Sequence, residues 1–291
     1  MRYRFIRDHQ DQWPVAIQCS VLEVSRSGYY SWLGRSESAT SQANRALSRE
    51  IAEIHRENRG VYGSPRVYLA LIHRGHTVGR NRVARLMRRD GLQARTKRRF
   101  KATTDSRHGH PVAPDLLQRN FTPGEPNRVW AADITYIWTR EGWLYLAVVM
   151  DLYSRGIVGW SMGDRLTSPL VCQALRMALQ RRRPPAGLLH HSDRGCQYAA
   201  GDYQALLRKN GIVCSMSRRG NCWDNAPVES FFGTLKCEWV FHHRYHSRAE
   251  ARQSIFDYIE RFYNRRRMHS TIGGLSPMEF EQQREAFPSV H

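Results

Sequence analysis

The stretch "RVWAADITYIWTREGWLYLAVVMDLYSRGIVGWSM", Arg128 to Met162, decides how this chain folds. Aromatic and β-branched residues crowd into three runs, "RVWAADITYIWT", "WLYLAVVMDLYS" and "GIVGWSM". The turn "REG" separates the first two, and Gly156 precedes the third. Runs of this kind, joined by short turns, predict three antiparallel strands. One residue jars. Asp133 stands in the middle of the first run, where an unpaired acid costs stability.

Downstream, strand and helix patterns alternate. "SPLVCQALRMALQRR" (Ser168 to Arg182) has helical spacing, and "GLLHHSD" reads as a fourth strand ending at Asp193. "GDYQALLRKNG" is a helix and "IVCSMS" a fifth strand. A flexible loop, "RRGNCWD", leads into "NAPVESFFGTLK", Asn225 to Lys236. That segment reads as the start of a helix, capped by Asp224 or Asn225, with Pro227 in its first turn and Phe231 and Phe232 anchoring it to the sheet. "SRAEARQSIFDYIERFYNRRRMH" predicts a long final helix whose basic end, Asn264 to Arg267 with His269, is a candidate DNA contact. The fold class is α/β: a mixed five-stranded sheet with helices on its faces.

Upstream, residues 13–33 look like two short helices broken at Val24-Ser25, a small helix-turn-helix-like segment within 1–39. "SESATSQANR" (Ser36 to Arg45) reads as a polar linker into a helix from about Ala46 to Asn58. Then Ser64-Pro65 starts a helix that Gly75 ends, and a second runs from about Gly79 to Asp90. Val83, Leu86 and Met87 share one face of it, while Arg80, Arg82, Arg85, Arg88 and Arg89 take most of the rest. A helix-turn-helix that contacts DNA explains both the glycine-containing turn and the arginines, so 40–100 reads as a DNA-binding region. A basic linker, 101–124, separates it from a core at 125–240, and 241–291 forms a C-terminal basic helix and tail.

Composition narrows the function. The 291 residues are 41% hydrophobic, enough for a sizeable core. Lys and Arg total 45 against 26 Asp and Glu, a net charge of +19, which calls for a polyanionic partner. Residues 1–101 alone hold 21 Lys and Arg against 8 Asp and Glu, so the electrostatic grip is expected there. No membrane role is expected: the longest apolar run, "WLYLAVVM", is far short of the ~20 residues a span needs, and "MRYRFIRDHQ" carries no secretory signal. The six cysteines form no C-x-x-C pair and read as reduced thiols of a cytoplasmic protein. His242, His243 and His246 follow Cys237 without a second thiolate pair, so no structural zinc is expected.

Three acids stand where a layered fold brings them together. They are Asp133 in the first strand, Asp193 at the end of the fourth, and Glu229 on the helix, with 35 residues between Asp193 and Glu229. Such a trio suits two Mg²⁺ ions, which prefer carboxylate oxygens, and phosphoryl chemistry between ions about 4 Å apart. Asp151 and Asp224 compete for the same role, and spacing alone does not separate them.

"WAADITYI", "HHSDRGCQYA", "DNAPVESFFGTLKCE" and "YNRRRMHSTIGGLSPMEF" together resemble the DDE transposases of bacterial insertion sequences, and within them the OrfB-type product with a retroviral-integrase-like core. "VSRSGYYSWL" and "YGSPRVYLALIHRGHTVGRNRVARLMRRDGL" extend the resemblance over nearly the whole chain. It implies an RNase H-like core. Asp133, Asp193 and Glu229 become the catalytic metal ligands, Asp151 and Asp224 become structural, and Lys236, seven residues after Glu229, holds a DNA phosphate. Mg²⁺, with Mn²⁺ as substitute, is the implied cofactor. Implied partners are double-stranded DNA at element ends and target, a second copy of the chain, since transposition joins two ends, and the upstream reading-frame product as a fusion. Arg265 and Arg266 join the DNA-contact candidates. Two other readings remain: a DNA-binding regulator of a longer fused transposase, and an RNase H-type nuclease.

Overall fold

A computed structural model of the chain describes residues 1–95, 112–218 and 221–286. The basic stretch after Arg95, read as a linker, lies outside the described residues up to position 111. Two compact units emerge, Met1–Glu53 and Ile54–His291.

The first unit is helical: α1 (Arg2–Asp8), α2 (Val15–Val21), α3 (Arg26–Leu33) and most of α4 (Ala39–Glu57). Ile6, Cys19 and Tyr29 form its core, with Tyr3 and Trp32 packed against them. Ser25 caps α3 by accepting a hydrogen bond from the Gly28 amide at 3.0 Å. The expected polar linker at 36–45 is mostly helix, because α4 begins at Ala39. Ser38 Oγ accepts from the Ser41 amide at 3.2 Å, and the Ser41 hydroxyl donates to Glu37, so this polar stretch supplies its own helix start.

The second unit opens with α5 (Ser64–His73) and α6 (Arg80–Arg89). Gly75 and Gly91, at φ +83° and +69°, end them in left-handed geometry that glycine adopts without strain. Val83, Leu86 and Met87 are buried and make the apolar face expected of α6. Five strands follow the second helix: β1 (Val129–Thr139), β2 (Gly142–Asp151), β3 (Ile157–Gly163), β4 (Leu189–Ser192) and β5 (Val213–Met216). Their order in the sheet is β3-β2-β1-β4-β5. β1, β2 and β3 form an antiparallel meander, while β4 and β5 run parallel to β1. The central strand therefore carries Asp133.

One face of the sheet packs on α7 (Ser168–Arg182), α8 (Cys196–Ala199) and α9 (Gly201–Lys209), around Trp130, Val149, Leu175 and Tyr203. Gly159 allows that contact, since a Cβ there would lie 2.3 Å from the Ala174 carbonyl of α7. α10 (Ala226–Glu238) and α11 (Arg248–Phe256) pack against β1, α11 also against β2.

The long final helix is shorter than its sequence suggests. After α11 the chain continues as a π-helix over Asp257–Tyr263 and then leaves helical geometry. The Asn264 side chain donates to the Ile157 carbonyl and accepts from its amide, at 3.0 and 2.9 Å, which fixes the exit against β3. A further helix, α12 (Pro277–Ala286), was not expected. Segments that the sequence places apart, 40–100 and 241–291, meet within this unit. The Tyr62 hydroxyl donates to the Arg266 carbonyl and accepts from the Met268 amide, and Arg59 pairs with Asp257. No helix among the described residues is long and apolar enough to cross a membrane.

Candidate active site

The parallel pairing of β1 and β4 sets the first two acids side by side. Ala132 registers with Ser192, so the next residue along each chain is Asp133 and Asp193. Asp133 also lies opposite Val148 of β2. Behind Asp193, His191 is buried between two hydroxyls, with Nδ1 2.9 Å from Ser215 Oγ and Nε2 3.1 Å from Ser217 Oγ, which ties the end of β4 to β5. Asp193 Oδ1 accepts from the Gly195 amide at 2.9 Å, turning the chain immediately after the strand.

Glu229 comes from the first turn of α10, exposed to solvent. The Asn225 side chain places that helix: its Nδ2 donates to the Ala132 carbonyl at 3.1 Å, one residue from Asp133. The predicted caps do other work. Asn225 clamps the helix to β1, and Asp224 is held by arginines. Asp224 accepts from the backbone amide and guanidinium of Arg218 and from Arg119 Nε, at 2.8–3.0 Å. Those bonds, led by the Arg218 side chain, hold the Asp224 carboxyl well below the usual carboxylate range. Asp151 is fully buried at the end of β2 and accepts from the Asn127 and Tyr153 amides, at 2.8 and 2.9 Å.

The remaining three acids feel one another. Burial, then Asp193, pushes the Asp133 carboxyl well above its ordinary range. Glu229 adds to the push, while the Ile134 amide, 2.7 Å from Oδ1, and Lys236 oppose it. Desolvation and Asp193 raise Glu229 as well. A set of carboxylates that disfavour their own ionisation is stabilised by added positive charge. Among the described residues, no three His, Cys, Asp or Glu side chains are gathered closely enough to hold a metal ion. Asp133 and Asp193 each commit an oxygen to a backbone amide instead. The donor set itself, three hard carboxylates, fits Mg²⁺ in chemistry.

Lys236 sits on the same side of α10 as Glu229. Its Nζ lies 4.8 Å from the centroid of the Tyr136 ring, and burial lowers its pKa against the pull of Asp133.

Residues 123–222 and 229–284 match family profiles described as "Integrase core domain", and residues 42–100 match one described as "HTH-like domain". A 31 kDa protein of insertion element IS600 from Shigella sonnei, described as uncharacterized, is 50% identical over 265 residues, 91% of this chain and 97% of that one. The transposase InsF of insertion sequence IS3A from Escherichia coli (strain K12) is 44% identical over 285 residues, 97% of this chain and 99% of that one. This chain belongs to the InsF-type insertion-sequence transposases. Among solved structures, the catalytic core domain of BIV integrase aligns more loosely, at TM-score 0.39 and 21% identity, over 55% of this chain and 97% of that one.

The basic candidates of this transposase divide by exposure. On α6, Arg80, Arg85, Arg88 and Arg89 are exposed and Arg82 is half-buried. Arg89 is bonded to its neighbour Asp90 at 2.8 Å. Arg265 and Arg266 are exposed beyond the π-helix, but Arg267 and His269 are buried, at 5% and 8% exposure. The DNA-contact reading of those last two is therefore corrected. Arg267 grips Glu238 through Nε and Nη2, at 2.8 and 2.6 Å, and the Tyr258 hydroxyl donates to the same carboxylate at 2.9 Å. Burial works against the Arg267 charge, but its bond to Glu238 outweighs it and raises the pKa.

Proposed function

We propose that this transposase carries out Mg²⁺-dependent cleavage at the ends of its insertion sequence, followed by direct strand transfer. The observation that carries this reading is the placement of Asp133 and Asp193 at adjacent strand ends and of Glu229 on a helix clamped to β1, with burial and Asp193 raising both Asp133 and Glu229. These three residues would hold two Mg²⁺ ions, or Mn²⁺ in their place, which when bound supply activation of the attacking oxygen and stabilisation of the leaving one. Asn225 keeps Glu229 in place beside β1, and Lys236 positions a DNA phosphate near the acids. Water cleaves a phosphodiester at the element end and leaves a 3′-hydroxyl. That hydroxyl then forms a new bond to a target phosphorus while the target's own 3′-oxygen departs, so no side chain is bonded to DNA. Exposed arginines of α6, with Arg265 and Arg266, grip the duplex through its phosphates. Because two ends must be joined, the working form is at least a dimer on DNA, in the bacterial cytoplasm, and a fusion to the upstream reading-frame product is part of the proposal.

Glu229→Gln tests it. Cleavage and transfer of a labelled 3′ end should be lost in both Mg²⁺ and Mn²⁺, with affinity for element-end DNA retained. Collapse of affinity together with activity would assign Glu229 to the fold instead. Nicking by the wild type without any transfer of the labelled end would favour a nuclease.

A further inference from the structure

Helix α10 has two faces with different chemistry. Glu229 and Lys236, seven residues apart, lie on one. On the opposite side, Ala226, Ser230, Thr234 and Glu238 wall a cavity of about 740 Å³, closed by residues of α5, by Arg155 after β2 and by the segment following the π-helix. Among the described residues, four guanidinium groups line it, from Arg66, Arg95, Arg155 and Arg267, against one carboxylate, that of Glu238.

That one acid is already taken. Arg267 holds it with two bonds, and Arg66 stands 3.5 Å away. Among the described residues, Arg95 donates to the Glu238 carbonyl, at 2.7 Å, and Arg155 to the Phe121 carbonyl, at 3.0 Å. Neither meets a carboxylate among the described residues. His269 adds an independent sign. It lines the cavity at 8% exposure, and its buried Nε2 has no hydrogen-bond partner. Its Nδ1 faces Arg267 Nη1 at 3.5 Å and accepts, so the proton sits on Nε2, which is left as a donor. Buried donors and cations without partners are costly, and an anion relieves the cost. Phe121, Met150 and Phe231 give the same cavity an apolar side, and its volume falls in the range of small-ligand sites.

We propose that this cavity is a binding site for one phosphate-bearing nucleotide, with the phosphate on Arg155 and His269 and the apolar part against Phe121 and Phe231. The nucleotide comes either from an unpaired position of a DNA strand or from the free pool, and both present the same phosphate. Occupancy would fill the space behind the helix that carries Glu229.

Calorimetric titration of the full chain, without divalent metal, with deoxyadenosine 5′-monophosphate tests this. Expected is one bound equivalent, weakened about tenfold in Arg155→Ala by the loss of one charge-assisted bond and largely retained in Arg155→Lys. His269→Gln keeps a donor and should bind nearly as well, whereas His269→Phe should not. Competition by a 5′-phosphorylated single strand would support the site with a DNA source, and failure to compete would support it with a free nucleotide. No binding, equal binding of deoxyadenosine lacking the phosphate, or unchanged binding in both Arg155→Ala and His269→Phe would overturn the proposal. Because no metal is present, this result is independent of the fate of the Glu229 test.

Discussion

Consider replacing Arg267 by methionine. The guanidinium is 5% exposed and its partner Glu238 is 7% exposed, so the substitution strands a carboxylate in the protein interior. Breaking one side of a buried, hydrogen-bonded pair costs about 3–5 kcal/mol. Two donors remain near Glu238: the Tyr258 hydroxyl at 2.9 Å and Arg66 at 3.5 Å. They place the expected loss at the lower end, about 3 kcal/mol, which for a unit of this size lowers Tm by roughly 6–12 °C. Adding Glu238→Gln removes the stranded charge while keeping an acceptor for Tyr258, so the double variant should recover most of the loss. Urea unfolding of wild type, both single variants and the double variant, followed by tryptophan fluorescence, measures the coupling directly. A loss under about 1 kcal/mol for Arg267→Met, or a double variant no more stable than that single one, would refute the buried latch.

Three shorter predictions follow from the same structure. Asn225→Ala removes the bond to the Ala132 carbonyl and should slow strand transfer far more than it weakens DNA binding; an unchanged rate with wild-type affinity would deny Asn225 a positioning role. Arg85→Ala, on the exposed face of α6, should weaken DNA binding and reduce the salt-dependence slope by about one per lost phosphate contact, and an unaltered slope would show that face merely solvated. Burial pushes the Asp151 carboxyl up to about 6 despite its two backbone donors. A raised carboxylate favours the folded state when protonated, so its contribution is present at acid pH and lost as pH rises from about 4 through about 6. The stability difference between wild type and Asp151→Asn should therefore change across that window, and a flat difference would contradict the assignment.

Much of the architecture was legible in the sequence because its signals are local. The meander from Arg128 to Met162 announces itself by composition and turns, and Gly75 and Gly91 end their helices where the residues say. The acids at 133, 193 and 229 were singled out as a candidate set through spacing and resemblance, and the push of Asp193 on both Asp133 and Glu229 supports that choice. What escaped depends on long-range geometry. In "NRRRMH" three successive arginines look alike, yet Arg265 and Arg266 face solvent and Arg267 turns inward once the π-helix ends at Tyr263. Asp224 and Asn225 both have cap chemistry, and only the approach of Arg119, Arg218 and the Ala132 carbonyl redirects them. The helix start at Ala39 was hidden because Ser, Thr and Gln read as loop when nothing shows that Ser38 caps them.

The latch between Glu238 and Arg267 has a consequence for synthesis. A ribosome that has made the chain as far as residue 240 has already delivered all three acids and the whole sheet. It has not yet delivered the cation that neutralises Glu238 at the far end of the Glu229 helix. Until roughly thirty more residues emerge, the interior acid of that helix has Arg66, 3.5 Å away, but not the two bonds of Arg267, and the helix lacks its packing against Tyr263. Vectorial synthesis thus leaves the far end of the Glu229 helix unlatched until the C-terminal segment arrives.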